Sequence, residues 1–255
     1  MTNTRLATRE PRPAFGVGRH GGEMGTGMDS NRRTALTAGV LFIVATAASL
    51  LSSAVEPVLT RTDYLTRVSD NANLVSAGGL LEIVAAGTSV GIAIALYPVL
   101  KRWSAGMALG SVVFRTIEAV MYTASAVSLL SLLTVGQLFA RAATAESASV
   151  QAIGDALVAV RQESVLAGVF AFAVGALMYY VVFYRSRLIP RWLSGWGIAG
   201  VLLMLVACLS ALFTRNPVTS FTILILPIAV QEMVLAVWLI AKGFSSSALQ
   251  PIKPV

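Results

Sequence analysis

Six apolar stretches, separated by short polar segments, run along the chain from about residue 34 to residue 241. Each approaches or exceeds the roughly 20 residues that a helix needs to cross the hydrocarbon core of a bilayer. This pattern predicts an all-α fold, a polytopic membrane protein with six transmembrane helices. We place the helices near 34–55, 74–98, 105–135, 164–184, 193–213 and 218–241. The third stretch is the longest, so we expect that helix to tilt or to protrude.

Polar stretches flank the apolar part at both ends. Residues 1–31 are rich in Gly, Arg and Pro without an apolar period, which is typical of a disordered tail. The start of the chain lacks the apolar run that a signal peptide has, so we expect no signal peptide. Met28, in MDSNRRTAL, is an alternative start codon, in which case residues 1–27 are not translated. We therefore predict a transmembrane domain over 32–244 and a second disordered tail over 245–255.

The longest predicted loop spans 136–163. Four apolar residues within it are spaced three or four apart: Val150, Ile153, Leu157 and Val160. This spacing predicts a short amphipathic helix lying on the outer membrane surface, which could cover a cavity. The alternative is a plain connector between the third and fourth transmembrane helices.

The composition supports a membrane protein and accounts for its charge. Hydrophobic residues make up 56% and charged residues 12% of the chain, and the mean hydropathy is +0.77. The net charge of +7 does not require a nucleic-acid partner, because most Lys and Arg lie in short loops. By the positive-inside rule these loops orient the helices. The basic residues expected on the inner side are Arg32, Arg33, Lys101, Arg102, Arg185, Arg187, Arg191 and Lys242. We predict a multi-pass protein of the bacterial inner membrane with both termini in the cytoplasm.

Cysteine and histidine are too scarce for several kinds of site. Cys208 lies alone inside an apolar stretch, and His20 lies in the polar tail. We therefore expect no disulfide framework, no metal site of the zinc, copper or haem type, and no cofactor. No catalytic motif is present.

Several polar residues interrupt the apolar stretches at positions expected to lie inside the membrane. They are Glu82, Arg115, Glu118 and Glu232, with Gln231 and Tyr122 beside them. A charge in the bilayer costs several kcal/mol, so such side chains usually face the interior of a bundle and find partners there. These six residues are our candidates for a ligand-binding site.

A helical rise of 1.5 Å per residue gives the depth of each charge below the inner interface. Arg115 and Glu232 then lie about 15 Å and 14 Å deep, while Glu118 and Glu82 lie about 20 Å and 22 Å deep. Arg115 and Glu118 are three residues apart and share one face of their helix. We therefore expect one polar cluster in which a single arginine faces three carboxylates.

This imbalance of charge leaves three hypotheses. A carboxylate that the arginine cannot reach must bind a proton or a cation, because burial disfavours its charged form. A binding or transport protein would have a cavity reaching Glu232 or Glu118. A structural or accessory protein would have every donor of Arg115 paired in a closed network. An intramembrane enzyme, the least favoured, would hold two carboxylates in contact beside an open pocket.

Five stretches together resemble one known family of bacterial membrane proteins. They read RRTALTAGVLFIVATAASLL, LLEIVAAGTSVGIAIALYPVLKRW, FRTIEAV, YRSRLIPRWLSGWGIAG and QEMVLAVWLIAKGF. This part of the chain, roughly 32–244, is similar to the family catalogued as domain of unknown function 4386. The resemblance implies that the family's intramembrane polar positions correspond here to Glu82, Arg115, Glu118, Gln231 and Glu232. It implies no activity.

Overall fold

The structure is a computed structural model that describes residues 22–249. Within that range it contains eight α-helices, three short 3₁₀ turns and no strand. The helices are α1 (Gly22–Ser52), α2 (Glu56–Leu59), α3 (Tyr64–Asp70), α4 (Ala72–Leu100), α5 (Ala105–Arg141), α6 (Thr144–Ser186), α7 (Arg191–Thr214) and α8 (Thr222–Ala241). Helix α1 thus begins inside the predicted 1–31 tail. The rest of that tail, residues 1–21, and residues 250–255 of the second tail lie outside the described residues.

Six segments of the described chain are long and apolar enough to cross a membrane, which confirms the predicted number of transmembrane helices. They are Ser30–Leu59, Ala72–Leu100, Ala105–Arg141, Glu146–Ser186, Arg191–Thr214 and Val218–Ala241. An even number of crossings brings both ends of the helical part to one side. We call this side, with loops 101–104 and 187–190, the termini face. The opposite side, with loops 60–63, 142–143 and 215–217, is the distal face.

The six spanning segments form a closed bundle. Each packs against its neighbour in the chain, from α1 with α4 through to α7 with α8, and α8 packs back against α1. Arg32 helps to close this ring, because its Nη1 and Nη2 donate to the carbonyls of Leu239 and Ile240 at 3.1 and 2.6 Å. These carbonyls belong to the last turn of α8, where backbone donors run out: Leu239 still accepts from the N–H of Gly243 at 3.2 Å, and Arg32 supplies further donors.

Local sequence explains where two of the spanning helices meet the termini face. Ser104 caps α5, because its hydroxyl accepts a hydrogen bond from the N–H of Met107 at 3.3 Å. Helix α6 ends at Ser186, and the next residue, Arg187, has a left-handed φ of 57°. Pro190 then precedes the first turn of α7. Both reversals are therefore short, and they keep consecutive helices adjacent.

The predicted loop 136–163 is instead the meeting of two long helices. Helix α5 continues to Arg141 and α6 begins at Thr144, so only residues 142–143 connect them. The expectation of a separate surface helix, or of a plain connector, is therefore wrong. The four apolar residues of this segment do not share one buried face. Val150 and Leu157 pack against the core, whereas Ile153 and Val160 are exposed.

Packing against α3 explains why this hairpin stays helical. At 37 and 43 residues, α5 and α6 extend well beyond the thickness of a bilayer. A second apolar core of the distal half, which includes Leu65, Val68 and Leu132, holds α3 against them. The hydroxyl of Tyr64 also donates to Asp155 of α6 at 2.8 Å. The distal ends of the helices therefore form one packed layer.

Candidate functional site

Two Glu–Ser pairs join α4 to α5 in a reciprocal arrangement. Ser89 of α4 donates to Oε2 of Glu118 on α5 at 2.8 Å, and Ser125 of α5 donates to Oε2 of Glu82 on α4 at 2.9 Å. In each helix the serine follows the glutamate by seven residues, which is about 10 Å along the axis. Because the helices are antiparallel, each glutamate meets the serine of the other helix. The two acids therefore lie at different depths.

Arg115 is paired with Glu118 within α5, as expected from their spacing. Its Nη1 lies 3.1 Å from Oε2 of Glu118, and both residues are buried. The guanidinium also faces the ring of Phe172 on α6, with 4.6 Å between Cζ and the ring centroid. Gly175 of α6 allows this close approach, because a Cβ there would lie 3.1 Å from Cβ of Phe114 and 3.4 Å from Cγ of Arg115.

Two nitrogens of Arg115 nevertheless lack hydrogen-bond acceptors. Nε and Nη1 are both buried without a hydrogen-bond partner among the described residues, since the contact of Nη1 with Glu118 does not have hydrogen-bond geometry. The hydroxyl of Ser111, one turn before Arg115, is unpartnered as well. Most buried polar atoms in proteins are hydrogen-bonded, so these three groups on one helix face would be satisfied by an additional acceptor.

Gln231 and Glu232 of α8 are held by two tyrosines of α6. The hydroxyl of Tyr180 donates to Oε1 of Gln231, whose Nε2 donates to the carbonyl of Leu193 at 3.0 Å. The hydroxyl of Tyr179 donates to Oε1 of Glu232 over a longer distance, 3.4 Å. No described cation forms an ion pair with Glu232. Of the two buried acids in the described part of the chain, Glu118 has an ion pair and Glu232 has none.

Electrostatic interactions connect this acid to the arginine. Arg115 interacts with both Glu118 and Glu232, and Tyr179 of α6 interacts with both Arg115 and Glu232. Tyr122, one turn after Glu118, also interacts with this pair, although no described residue forms a hydrogen bond with it. We call Arg115, Glu118, Tyr122, Gln231 and Glu232 the central site.

Glu82 belongs to a second group, the distal cluster of Glu56, Glu82, Ser125 and Arg161. Nη1 of Arg161 donates to Oε1 of Glu82 and to the hydroxyl of Ser125, both at 2.6 Å. Its Nη2 donates to Oε1 of Glu56 at 2.8 Å. Arg161 is 4% exposed, although the two residues that follow it, Gln162 and Glu163, are polar and exposed. The expected ratio of one arginine to three carboxylates is therefore wrong, because a second arginine neutralises Glu82.

Sequence reasoning missed Arg161, Glu56, Tyr179 and Tyr180. Arg161 precedes the predicted span 164–184 and Glu56 follows the predicted span 34–55, so the sequence placed both on the aqueous side. A usable signal was the repeated Glu-x6-Ser spacing of α4 and α5, which predicts two polar levels instead of one. No comparable signal marks Tyr179 and Tyr180, because aromatic pairs are common in apolar helices.

The geometry can be compared with the three hypotheses. The closed network of a purely structural protein is found in the distal cluster but not around Arg115. Four surface pockets in the described part of the chain do not include Arg115, Glu118 or Glu232 in their walls. The enzyme hypothesis expected two carboxylates in contact. Glu82 and Glu118 do not form such a pair, because Arg161 binds Glu82 and Arg115 binds Glu118. No three described His, Cys, Asp or Glu residues are placed to share a metal ion.

These features define a class: a multi-pass, all-helical membrane protein with two charged levels inside its bundle. The family model described as domain of unknown function (DUF4386) matches residues 37–243, which is most of the chain. The protein therefore belongs to the DUF4386 family, as the resemblance of its five stretches indicated. Comparisons with curated proteins and with solved structures give no match.

Proposed function

We propose that this protein is a binding or transport protein of the membrane whose central site takes a proton and a small ligand with an acceptor oxygen. The observation that carries the proposal is the buried guanidinium of Arg115, whose Nε has no acceptor and whose Nη1 has only the ion-pair contact with Glu118 at 3.1 Å. A buried donor without an acceptor costs about 1–3 kcal/mol, and more when it is charged. A ligand oxygen placed beside Arg115 would remove that cost.

The contrast between the two polar groups supports this proposal over a purely structural role. In the distal cluster, Arg161 reaches two carboxylates and a serine, and Ser125 donates to the oxygen of Glu82 that Arg161 does not use. None of its buried side-chain atoms is unpartnered. A network needed only for helix packing would be expected to look like the distal cluster, whereas the central site has spare donors.

Glu232 is the group that we assign to the proton. Its side chain is buried, and its only described hydrogen bond is the long one from Tyr179. An ionised carboxylate without a paired cation is costly in such surroundings, so the neutral acid is favoured. Binding of an anion beside Arg115 would disfavour ionisation of Glu232 further. Proton and ligand would therefore bind together.

Infrared spectroscopy tests the assignment of the proton. The purified protein in lipid nanodiscs should show the carbonyl band of a protonated carboxylic acid, and Glu232→Gln should remove it. Glu82→Gln is the matched control, because Glu82 is ion-paired and its loss should leave the band unchanged. Persistence of the band in Glu232→Gln would show that the proton lies elsewhere.

Thermal unfolding with small probes tests the ligand. Acetate, inorganic phosphate and acetamide share acceptor oxygens but differ in charge, and at least one should raise the unfolding temperature of the wild type. Arg115→Lys keeps the charge but loses the planar fork of donors, so it should abolish the response. Arg161→Lys, the control, should lower the basal stability and keep the response. If no probe acts on the wild type, the structural hypothesis is preferred.

We also propose that the termini face is cytoplasmic and that the membrane is the inner membrane of a bacterium. The basic residues at this face support the orientation. They are those of loops 101–104 and 187–190, together with Arg32 and Lys242. Single cysteines on a Cys208→Ser background test it with an impermeant thiol reagent. Thr60→Cys at the distal face should be labelled in whole cells, and Ser247→Cys only after lysis.

A further inference from the structure

A basic pocket lies at the termini face, between the α6–α7 loop and the end of α8. Its volume is about 580 Å³, and Arg187, Arg191, Trp238 and Lys242 are among the ten residues that line it. Three of the ten are cationic and none is acidic. The cationic side chains are exposed, and none of them forms an ion pair with a described residue. The pocket therefore has a net positive charge that the protein itself does not neutralise.

The backbone brings the three residues that carry these charges close together. Arg187 immediately follows α6, Arg191 is the first residue of α7, and Lys242 immediately follows α8. The N–H of Ser245 donates to the carbonyl of Leu188 at 2.9 Å, which ties the segment after α8 to the α6–α7 loop. The guanidinium of Arg191 also faces the ring of Tyr184, at 5.5 Å from its centroid. The pocket is thus built from three helix ends that are tied together.

An apolar groove continues from this pocket along the outside of α8. It has a volume of about 390 Å³ and shares Trp238 and Lys242 with the basic pocket. Met233, Val237 and Ala241 line it at intervals of four residues, so they form one stripe along the helix. Val237 is 61% exposed, which indicates that this stripe faces outward from the bundle. Lys242 is the only charged residue in the groove wall.

We propose that the pocket and the groove together bind one anionic phospholipid. The phosphate lies among Arg187, Arg191 and Lys242, and an acyl chain lies along the stripe from Ala241 to Met233. Charge complementarity selects this occupant, because basic pockets at the ends of transmembrane helices attract anionic head groups. Trp238 forms an edge-to-face contact with Trp192, with 6.5 Å between ring centroids. Tryptophans are enriched at the membrane–water interface, where a lipid head group lies.

The expected selectivity follows from the two parts of the site. The basic pocket favours phosphatidylglycerol or cardiolipin over phosphatidylcholine, whose head group carries no net charge. The apolar groove favours an intact lipid over glycerol 3-phosphate, which has the phosphate but no chain. Each basic residue near a membrane surface contributes about a fivefold change in affinity for anionic lipid. Loss of two of them should weaken binding about 25-fold.

The experiment uses the full-length protein in detergent and measures lipid binding by native mass spectrometry and by thermal unfolding. Phosphatidylglycerol is added to the wild type, to Arg191→Gln/Lys242→Gln and to the control Lys101→Gln/Arg102→Gln. The control removes two exposed cations from the same face but outside the pocket. Ala241→Trp, a fourth variant, fills the groove and leaves every charge in place.

Phosphatidylglycerol should bind and stabilise the wild type and the control, and the Arg191/Lys242 variant should lose about 25-fold in affinity. Ala241→Trp should also lose lipid binding. The proposal is overturned if phosphatidylcholine of the same chain length binds equally well, or if the two double variants behave alike. It is also overturned if glycerol 3-phosphate stabilises the wild type as strongly as the lipid, because the site would then bind free phosphate. The proposal does not depend on the central site.

Discussion

Removal of Arg161 should destabilise this protein more than any single change of a surface charge. The arginine lies on α6 and joins Glu82 of α4 and Glu56 at the end of the first span. Arg161→Met replaces the charge by an apolar side chain of similar length and leaves Glu82 without a cation. The Glu82 side chain is only 11% exposed. Breaking a buried pair from one side typically costs about 3–5 kcal/mol, and we expect a loss of free energy of unfolding in that range.

The two carboxylates should contribute unequally. Glu56 has a side chain that is 34% exposed, so water screens its interaction with Arg161, and Glu56→Gln should cost about 1 kcal/mol or less. Glu82→Gln should cost more, because Glu56, the one carboxylate then left to Arg161, is partly screened by water. In a double-mutant cycle, the Arg161–Glu82 coupling energy should exceed about 2 kcal/mol, and the Arg161–Glu56 coupling should stay below about 1 kcal/mol.

Equilibrium unfolding in mixed micelles, followed by circular dichroism at increasing denaturing detergent, measures these energies. The four variants of each cycle must be compared at one pH and one lipid content. Our reasoning is refuted if the Arg161–Glu82 coupling is below about 0.5 kcal/mol, or if the two couplings are equal. A small Arg161–Glu82 coupling would mean that water screens this pair in the native state. Equal couplings would mean that the different exposure of the two carboxylates does not set their contributions.

Three further predictions concern the packing around the bundle. Tyr64→Phe should cost about 1 kcal/mol of stability, because it removes the hydrogen bond to Asp155. Burial and this carboxylate raise the pKa of Tyr64 in the folded protein, so the wild type should lose stability as the pH rises above about 10. The variant should lose less when unfolding is measured over the same pH range. Gly197→Ala should cost about 1–3 kcal/mol in thermal unfolding, because the added Cβ would collide with the Tyr180 ring. Gly195→Ala is the control and should be nearly neutral, because its added Cβ would lie 3.9 Å from the nearest atom, in the Tyr184 ring. Arg32→Gln should speed amide hydrogen exchange in the last turn of α8; unchanged exchange would contradict the capping role.

The number and order of the spanning helices could be predicted from the sequence alone. Hydrophobic length is a local property, and a run of about 20 apolar residues has few alternatives in a membrane. The pairing of Arg115 with Glu118 was also local, because residues three apart on one helix always lie on the same face. For the same reason Gln231 and Glu232 could be named as buried polar residues of the last span.

The partners of the other charges depended on the tertiary structure. Arg161 and Glu82 are 79 residues apart, and their contact requires a particular rotation of α4 and α6 and a helix that continues through residues 146–163. That continuation results from packing against α3 and α5, which no local pattern encodes. The same holds for Tyr179 and its contact with α8. Local hydrophobicity determined which segments cross the membrane. Helix rotation and register decided which arginine neutralises which acid, and they left Glu232 without an ion-pair partner among the described residues.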